Sequence, residues 1–207
     1  MMSVLLFRRL WSNHRGYAVL FKSSLMLESD IILRSGVETA ICITANFRLR
    51  DEFVSLMRRD AVYTLQGQIK LHREAGDAEM VSDAESSLKE TQAVLPPGVK
   101  GAKLDWKALA EAGGVPLLYN FHRMLSGASS HVTGLSILHG AESEDGSVSG
   151  RELARITKRM HFTIMLSATL QGAMIHAGMI GADQDVLAAN ALLQRLNTAA
   201  IWNEVGV

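Results

Sequence analysis

Cysteine is almost absent from this chain: Cys42, in the apolar run Ala40-Ile-Cys-Ile43, is the only one among 207 residues. No intrachain disulfide can form, so a reducing, cytoplasmic compartment is the natural expectation. The thiol reads either as a small buried hydrophobe or as a reactive group, and its apolar neighbours favour the first. Proline is scarce too, with three residues, and β-branched residues form no alternating runs. Both absences argue for an all-α protein. Net charge is also missing, because 21 Lys and Arg balance 21 Asp and Glu. A neutral chain exerts no global pull on nucleic acid, so any such binding needs a local patch. There is no Walker loop, no G-x-G-x-x-G after a strand and no G-x-S-x-G elbow, which sets aside the common nucleotide-cofactor and serine-hydrolase classes. The seven histidines, 14, 72, 122, 131, 139, 161 and 176, make neither H-E-x-x-H nor paired Glu-x-x-His, so neither metal nor cofactor is expected.

Hydrophobic residues make up 48% of the chain and charged ones 20%, enough apolar material for a sizeable core and far from a disordered composition. The length suits one domain. The expectation is a single-domain, all-α helical bundle spanning 1–207, with its core at about 17–202. Two long helices, at about 18–48 and 150–179, should be central. Met160 to Ala182 carries no formal charge over 23 positions, long enough to cross a bilayer. His161, Gln171, His176 and several Ser, Thr and Gly residues would be costly against lipid, so a buried central helix is expected and no membrane partner. The start, Met1-Met-Ser-Val-Leu-Leu-Phe-Arg-Arg, has too short an apolar run for a signal peptide.

A short first helix is expected over 3–13, ending near Ser12-Asn13 and Gly16. Asp51 should open a third helix to about Glu74, with Arg58 and Arg59 joining Arg48 and Arg50 in a solvated basic cluster. Ser82-Asp-Ala-Glu85 and Ser149-Gly-Arg-Glu152 match capping boxes. Residues 94–104, with two prolines and two glycines, read as a loop. Asp105 should cap a short helix from Trp106 to Ala112, and Asp183 a last helix to about Trp202. Gly140 to Ser147 reads as an acidic exposed loop. Four of the ten methionines lie between 160 and 179; they suit adaptable core packing better than a ligand pocket.

Polar chemistry concentrates in two places. Asp30, Arg34 and Glu38 are spaced one helical turn apart and can form a ladder. That ladder is either solvated on an exposed edge, or buried with Arg34 and Glu38 satisfying each other or a third polar group. The second place is Tyr119-Asn-Phe-His-Arg-Met-Leu-Ser-Gly-Ala-Ser-Ser-His131. Leu117, Phe121, Met124, Leu125, Ala128, Val132 and Leu135 recur there at helical spacing. Tyr119, Arg123, Ser126 and Ser130 follow on a neighbouring stripe. His131 would stand roughly 80° round from Arg123 on a continuous helix. Arg123 could hold a phosphate with forked donors, and His131 could move a proton at neutral pH. The alternative is that Arg123 pairs with Glu38 across the bundle and His131 donates to a backbone carbonyl.

Arg34-Ser-Gly-Val-Glu38 resembles the R-S-x-x-E element of a bacterial all-α domain family of unknown function. Tyr119-x3-Arg123-x-Leu125-Ser126-x4-His131 is similar to that family's later Y-x3-R-x-L-S-x4-H element. The resemblance covers roughly residues 17 to 180 and rests on these two motifs. More distantly, an Arg followed by a His in a helical bundle is similar to the HEPN superfamily of nucleotide-binding proteins and ribonucleases, where the two are spaced more closely. The family resemblance implies a polar cluster of Arg34, Glu38, Tyr119, Ser126 and His131 joining two helices. The HEPN likeness implies handling of RNA or a nucleotide, metal-independent RNA cleavage by Arg123 and His131, a role in bacterial defence or stress, and a homodimer or other homo-oligomer. The competing expectation is a non-enzymatic bundle that oligomerises or binds a protein partner, its polar cluster serving only to fix helix packing.

Overall fold

The structure, a computed structural model, describes residues 1–128 and 148–199. Among them it is all-α, with eight helices and no strand. In chain order they are α1 (Met2–Lys22), α2 (Met26–Leu49), α3 (Asp51–Ala75), α4 (Ala78–Ala93), α5 (Trp106–Gly113), α6 (Pro116–Ala128), α7 (Val148–Ile180) and α8 (Asp183–Thr198). The chain separates into two compact units, one formed by residues 1–48 with 106–207 and the other by 49–105.

In the first unit α2 touches α1, α5, α6 and α7. Asn13 of α1 donates to Ser35 at 3.1 Å, and Gly36 lies against Met165 of α7. Gly113 of α5 sits against Thr44 so closely that an added Cβ would meet its Oγ1 at 2.5 Å. This explains the composition of α2: Leu33, Val37, Ala40, Ile41 and Ile43 are fully buried, and small or apolar side chains occupy almost every turn. Each such aliphatic side chain stabilises the fold by about 1.5–3 kcal/mol. That outweighs the ~1 kcal/mol cost of a helical glycine, so Gly16 does not end α1. It lies inside the helix, with Ile32 at contact distance. The break falls later, at Ser23–Leu25, where Ser24 takes a left-handed φ of 60°. The expected long helix over 18–48 is therefore two helices, α1 continuing to Lys22 and α2 beginning at Met26.

α7 is the second long core helix. Ala154–Ile180 is long and apolar enough to cross a membrane by length and composition. In this fold it packs against α1 and α8, burying Ile164, Met165 and Ala168. Gly181, at φ 74°, ends it in a turn in which Ala182 N–H donates to Ala177 O at 2.9 Å. Asp183 does not cap α8. Ala182 holds the cap position, with no side-chain bond, and α8 stops at Thr198. Asp183 and Asp185 lie in its first turn, where negative charge favours the helix dipole. Ser149 likewise falls inside α7 rather than ahead of it. Glu152 bonds Arg155, at 3.0 and 2.6 Å, instead of completing a capping box.

The second unit is α3, α4 and the segment after them. Gly76 closes α3 in a left-handed conformation, with Asp77 N–H donating to His72 O at 3.0 Å. Asp77, not Ser82, caps α4, accepting from Met80 N–H at 3.1 Å. Ser82 lies in the helix interior. Residues 94–105 are non-helical as expected, and α3 holds them down. Asp60 accepts from Leu104 N–H at 2.9 Å, and Arg59 donates to Lys100 O at 3.2 Å. Arg58 points the same way, toward Val94 O at 3.5 Å. Arg58 and Arg59 are thus committed to a loop rather than only to solvent. Gly101 is required there, since a Cβ would meet Tyr63 N at 2.8 Å.

Candidate functional site

The polar cluster forms between α2 and α6. Arg34 and Glu38 stand one turn apart on α2, and Glu38 Oε1 accepts from Arg34 Nε at 3.1 Å. The same oxygen lies 3.0 Å from His122 Nε2 on α6. A carboxylate can only accept, so Nε2 carries the proton in that contact. Burial alone would push the Glu38 carboxyl up. The His122 hydrogen bond and the Arg34 charge outweigh it and hold the group below its ordinary value. Arg34 and Glu38 are half-buried rather than buried or solvated, and they satisfy each other with His122 as the third polar group. Asp30 leaves the ladder and bonds His161 of α7 at 2.6 Å.

His122 is 6% exposed, walled by the Trp106 ring at 5.4 Å and the Tyr119 ring at 6.1 Å. Its Nδ1 is buried and has no hydrogen-bond partner among the described residues. Ser126 donates to the His122 carbonyl oxygen at 2.7 Å, one turn back along α6. Arg34, Glu38 and Tyr119 are thus gathered around the His122 ring, while Ser126 is tied to the main chain of α6. His131, together with Ser130, Val132 and Leu135, lies outside the described residues, as does the expected acidic loop 140–147. Arg123 is exposed and does not pair with Glu38, whose Oε1 instead accepts from Arg34 and His122.

The reason His122 escapes a sequence reading is one of helical phase. The buried stripe of α6 is Leu118, His122 and Leu125. The apolar count instead places Leu117, Phe121 and Met124 inward together with Leu125, centring the face about one residue or 100° away from Leu118 and His122. Leu117 is 61% exposed and Met124 36%. A signal was present: His122 sits four residues after Leu118 and four before Ser126, on the stripe that α6 turns to α2.

Three more histidines of this unit are built into helix contacts. His14 pairs with Thr169 at 3.0 Å and His176 with Ser3 at 3.1 Å. Burial lowers the pKa of both. The third is His161, beside Asp30. Tyr17, fully buried near that pair, has a hydroxyl without a hydrogen-bond partner among the described residues, and burial followed by the Asp30 charge raises its pKa. It stays a neutral phenol. Among the described residues no three His, Cys, Asp or Glu side chains converge as metal ligands would. Two grooves run along α1, and Arg34, Glu38 and His122 line neither of them. Comparison of the chain with protein-family models, with curated proteins and with solved structures finds no match among any of the three.

Proposed function

We propose that the protein is a non-enzymatic helical bundle that acts by binding a partner, and that the Arg34–Glu38–His122 cluster fixes how α6 packs on α2. The observation that carries this reading is the shared carboxylate oxygen, 3.1 Å from Arg34 and 3.0 Å from His122. Both partners converge on that one oxygen from two different helices, offsetting its charge and holding the Glu38 carboxylate in a fixed place between α2 and α6. Removing one member of such a half-buried set leaves the others uncompensated, which costs on the order of 2–4 kcal/mol. The test is chemical denaturation of Glu38→Ala and Glu38→Gln. The alanine variant should lose about that much stability and the glutamine variant less. A fully stable Glu38→Ala would end the packing reading.

A second reading has one observation in its favour. Arg123 is exposed beside the cluster with no carboxylate partner among the described residues, a guanidinium available to a phosphate. In that reading Arg123 clamps the phosphate and His131 moves the proton in metal-independent RNA cleavage. Cleavage of a mixed RNA in EDTA by wild type, abolished in a folded Arg123→Ala or His131→Ala variant, would establish it in place of the first.

A further inference from the structure

A neutral chain can still carry a local basic patch, and α1 has one. From Met1 to Leu27 the charged residues are Arg8, Arg9, Arg15 and Lys22, and the first carboxylate is Glu28. Arg8, Trp11 and Arg15 are spaced by three and four residues, so they share one face of α1. All three are exposed, Trp11 by 49%. They line an open groove of about 770 Å³ whose far wall includes Ile32 of α2. Trp11 also lines a second groove of about 450 Å³ on its other side, with His14, Leu166 and Arg195. The indole is thus a ridge between two concave surfaces, and neither is lined by a carboxylate. Arg8, Arg15 and Arg195 have no acidic partner among the described residues. Trp11 and His14 stack in parallel, 5.3 Å between centroids and 4° between planes.

We infer that this face of α1 binds single-stranded nucleic acid, with Trp11 as the stacking platform for a base and Arg8, Arg15 and Arg195 as phosphate donors. The inference rests on the proposal that the protein works by binding, and it names the partner. Three features select this ligand. An indole face between guanidinium groups is the combination that sequence-tolerant strand binding requires, since every base offers a π-face and every linkage a phosphate. Arg8 and Arg15 lie about 10 Å apart along the helix axis, so a strand can lay a base on the ring with a phosphate at either end. A lipid surface would instead need a continuous apolar face. Here Arg8 and Arg15 interrupt the exposed series Val4, Trp11 and Val19.

The experiment is fluorescence anisotropy of a labelled, uridine-rich RNA of roughly 20 nucleotides with the full chain, at several salt concentrations. Wild type, Trp11→Ala and Arg8→Glu/Arg15→Glu are compared, and thermal melting of each protein is recorded in parallel. Binding should weaken with salt, with a log–log slope of about −2 for three phosphates on a single strand. Trp11→Ala should weaken it about 10-fold. The double charge reversal should weaken it at least as much and flatten the salt slope. The charge-reversed side chains are fully outside the core, so that variant should melt like wild type. The inference is overturned if RNA does not bind, or if both variants bind as wild type does. It is also overturned if phosphatidylglycerol vesicles bind in an Arg8- and Arg15-dependent way while RNA does not. The packing role of Glu38 is judged by denaturation alone, so either reading can fail without the other.

Discussion

Asp30 and His161 meet at 2.6 Å between α2 and α7, with side chains only 14% and 7% exposed. Their contact locates a polar anchor within the long, largely uncharged stretch of α7. Read by length and composition, Ala154–Ile180 could cross a bilayer. Read through its contacts, it carries His161 bonded to Asp30, Thr169 to His14 and His176 to Ser3. Each bond ties one turn or another of α7 to α1 or α2 and sets which way its faces turn.

Truncating Asp30 to alanine should therefore be among the more damaging single changes in this unit. It would leave His161 buried without its carboxylate, for a loss on the order of 3 kcal/mol. Asp30→Asn keeps a side-chain oxygen that can accept from the ring and should cost less. Urea titration of the two variants checks the order, and equal stability of Asp30→Ala and wild type would show that the pair adds nothing.

The ion pair between Arg73 and Glu85 offers the contrast. Both side chains are about half or more exposed, 62% and 48%, and join α3 to α4 at the surface. Solvent screening and side-chain entropy leave such pairs at less than ~1 kcal/mol. Arg73→Ala should shift a urea midpoint only slightly, and any shift should fade in high salt.

Acid should weaken the first unit in two stages. His14 and His176 have folded pKa values below the ordinary 6.5 because burial disfavours their charged forms. In the window below 6.5 the unfolded chain binds more protons than the fold, so the stability that their neutral forms contribute is lost as pH falls through their folded values. Glu38 follows the same sign at lower pH. Its carboxyl is held down once His122 and Arg34 outweigh burial, so its contribution is present above the ordinary carboxylate range and lost below it. Melting temperatures from about pH 8 to 3 should fall first near neutrality and again in the acid range. His14→Gln combined with His176→Gln should remove the first step only.

The sequence made the all-α class legible because helical periodicity recurs along the chain and alternating runs do not. It also made Arg34 and Glu38 legible as a pair, since a one-turn spacing needs no tertiary knowledge. His122 was different. Its role depends on which face of α6 turns to α2, and the apolar residues of α6 cover both Leu117–Phe121–Met124 and Leu118–Leu125. Helix ends failed for a related reason. Ser23 and Ser24 contain no Gly or Pro, yet the chain turns there with Ser24 at φ 60°. Gly16 looks like a stop but lies inside α1, beside Ile32. In each case packing overrode a local preference of about 1 kcal/mol.

Two glycines of similar local sequence character should answer an alanine in opposite directions. Gly172, inside α7, faces Leu10 of α1, and a Cβ there would overlap Leu10 Cδ2 and come within 3.3 Å of Ile43 Cδ1. Both neighbours are fully buried, so neither can swing into solvent. Gly172→Ala should cost about 1–3 kcal/mol through overpacking, despite the better helix propensity of alanine. Gly67, inside α3, has nothing within 4 Å of the added carbon. There only the backbone entropy and propensity change, and Gly67→Ala should add up to about 1 kcal/mol. Denaturation of the two variants side by side is the check. A stabilised Gly172→Ala would mean that α1 and α7 do not approach as closely as the packing of Leu10 requires.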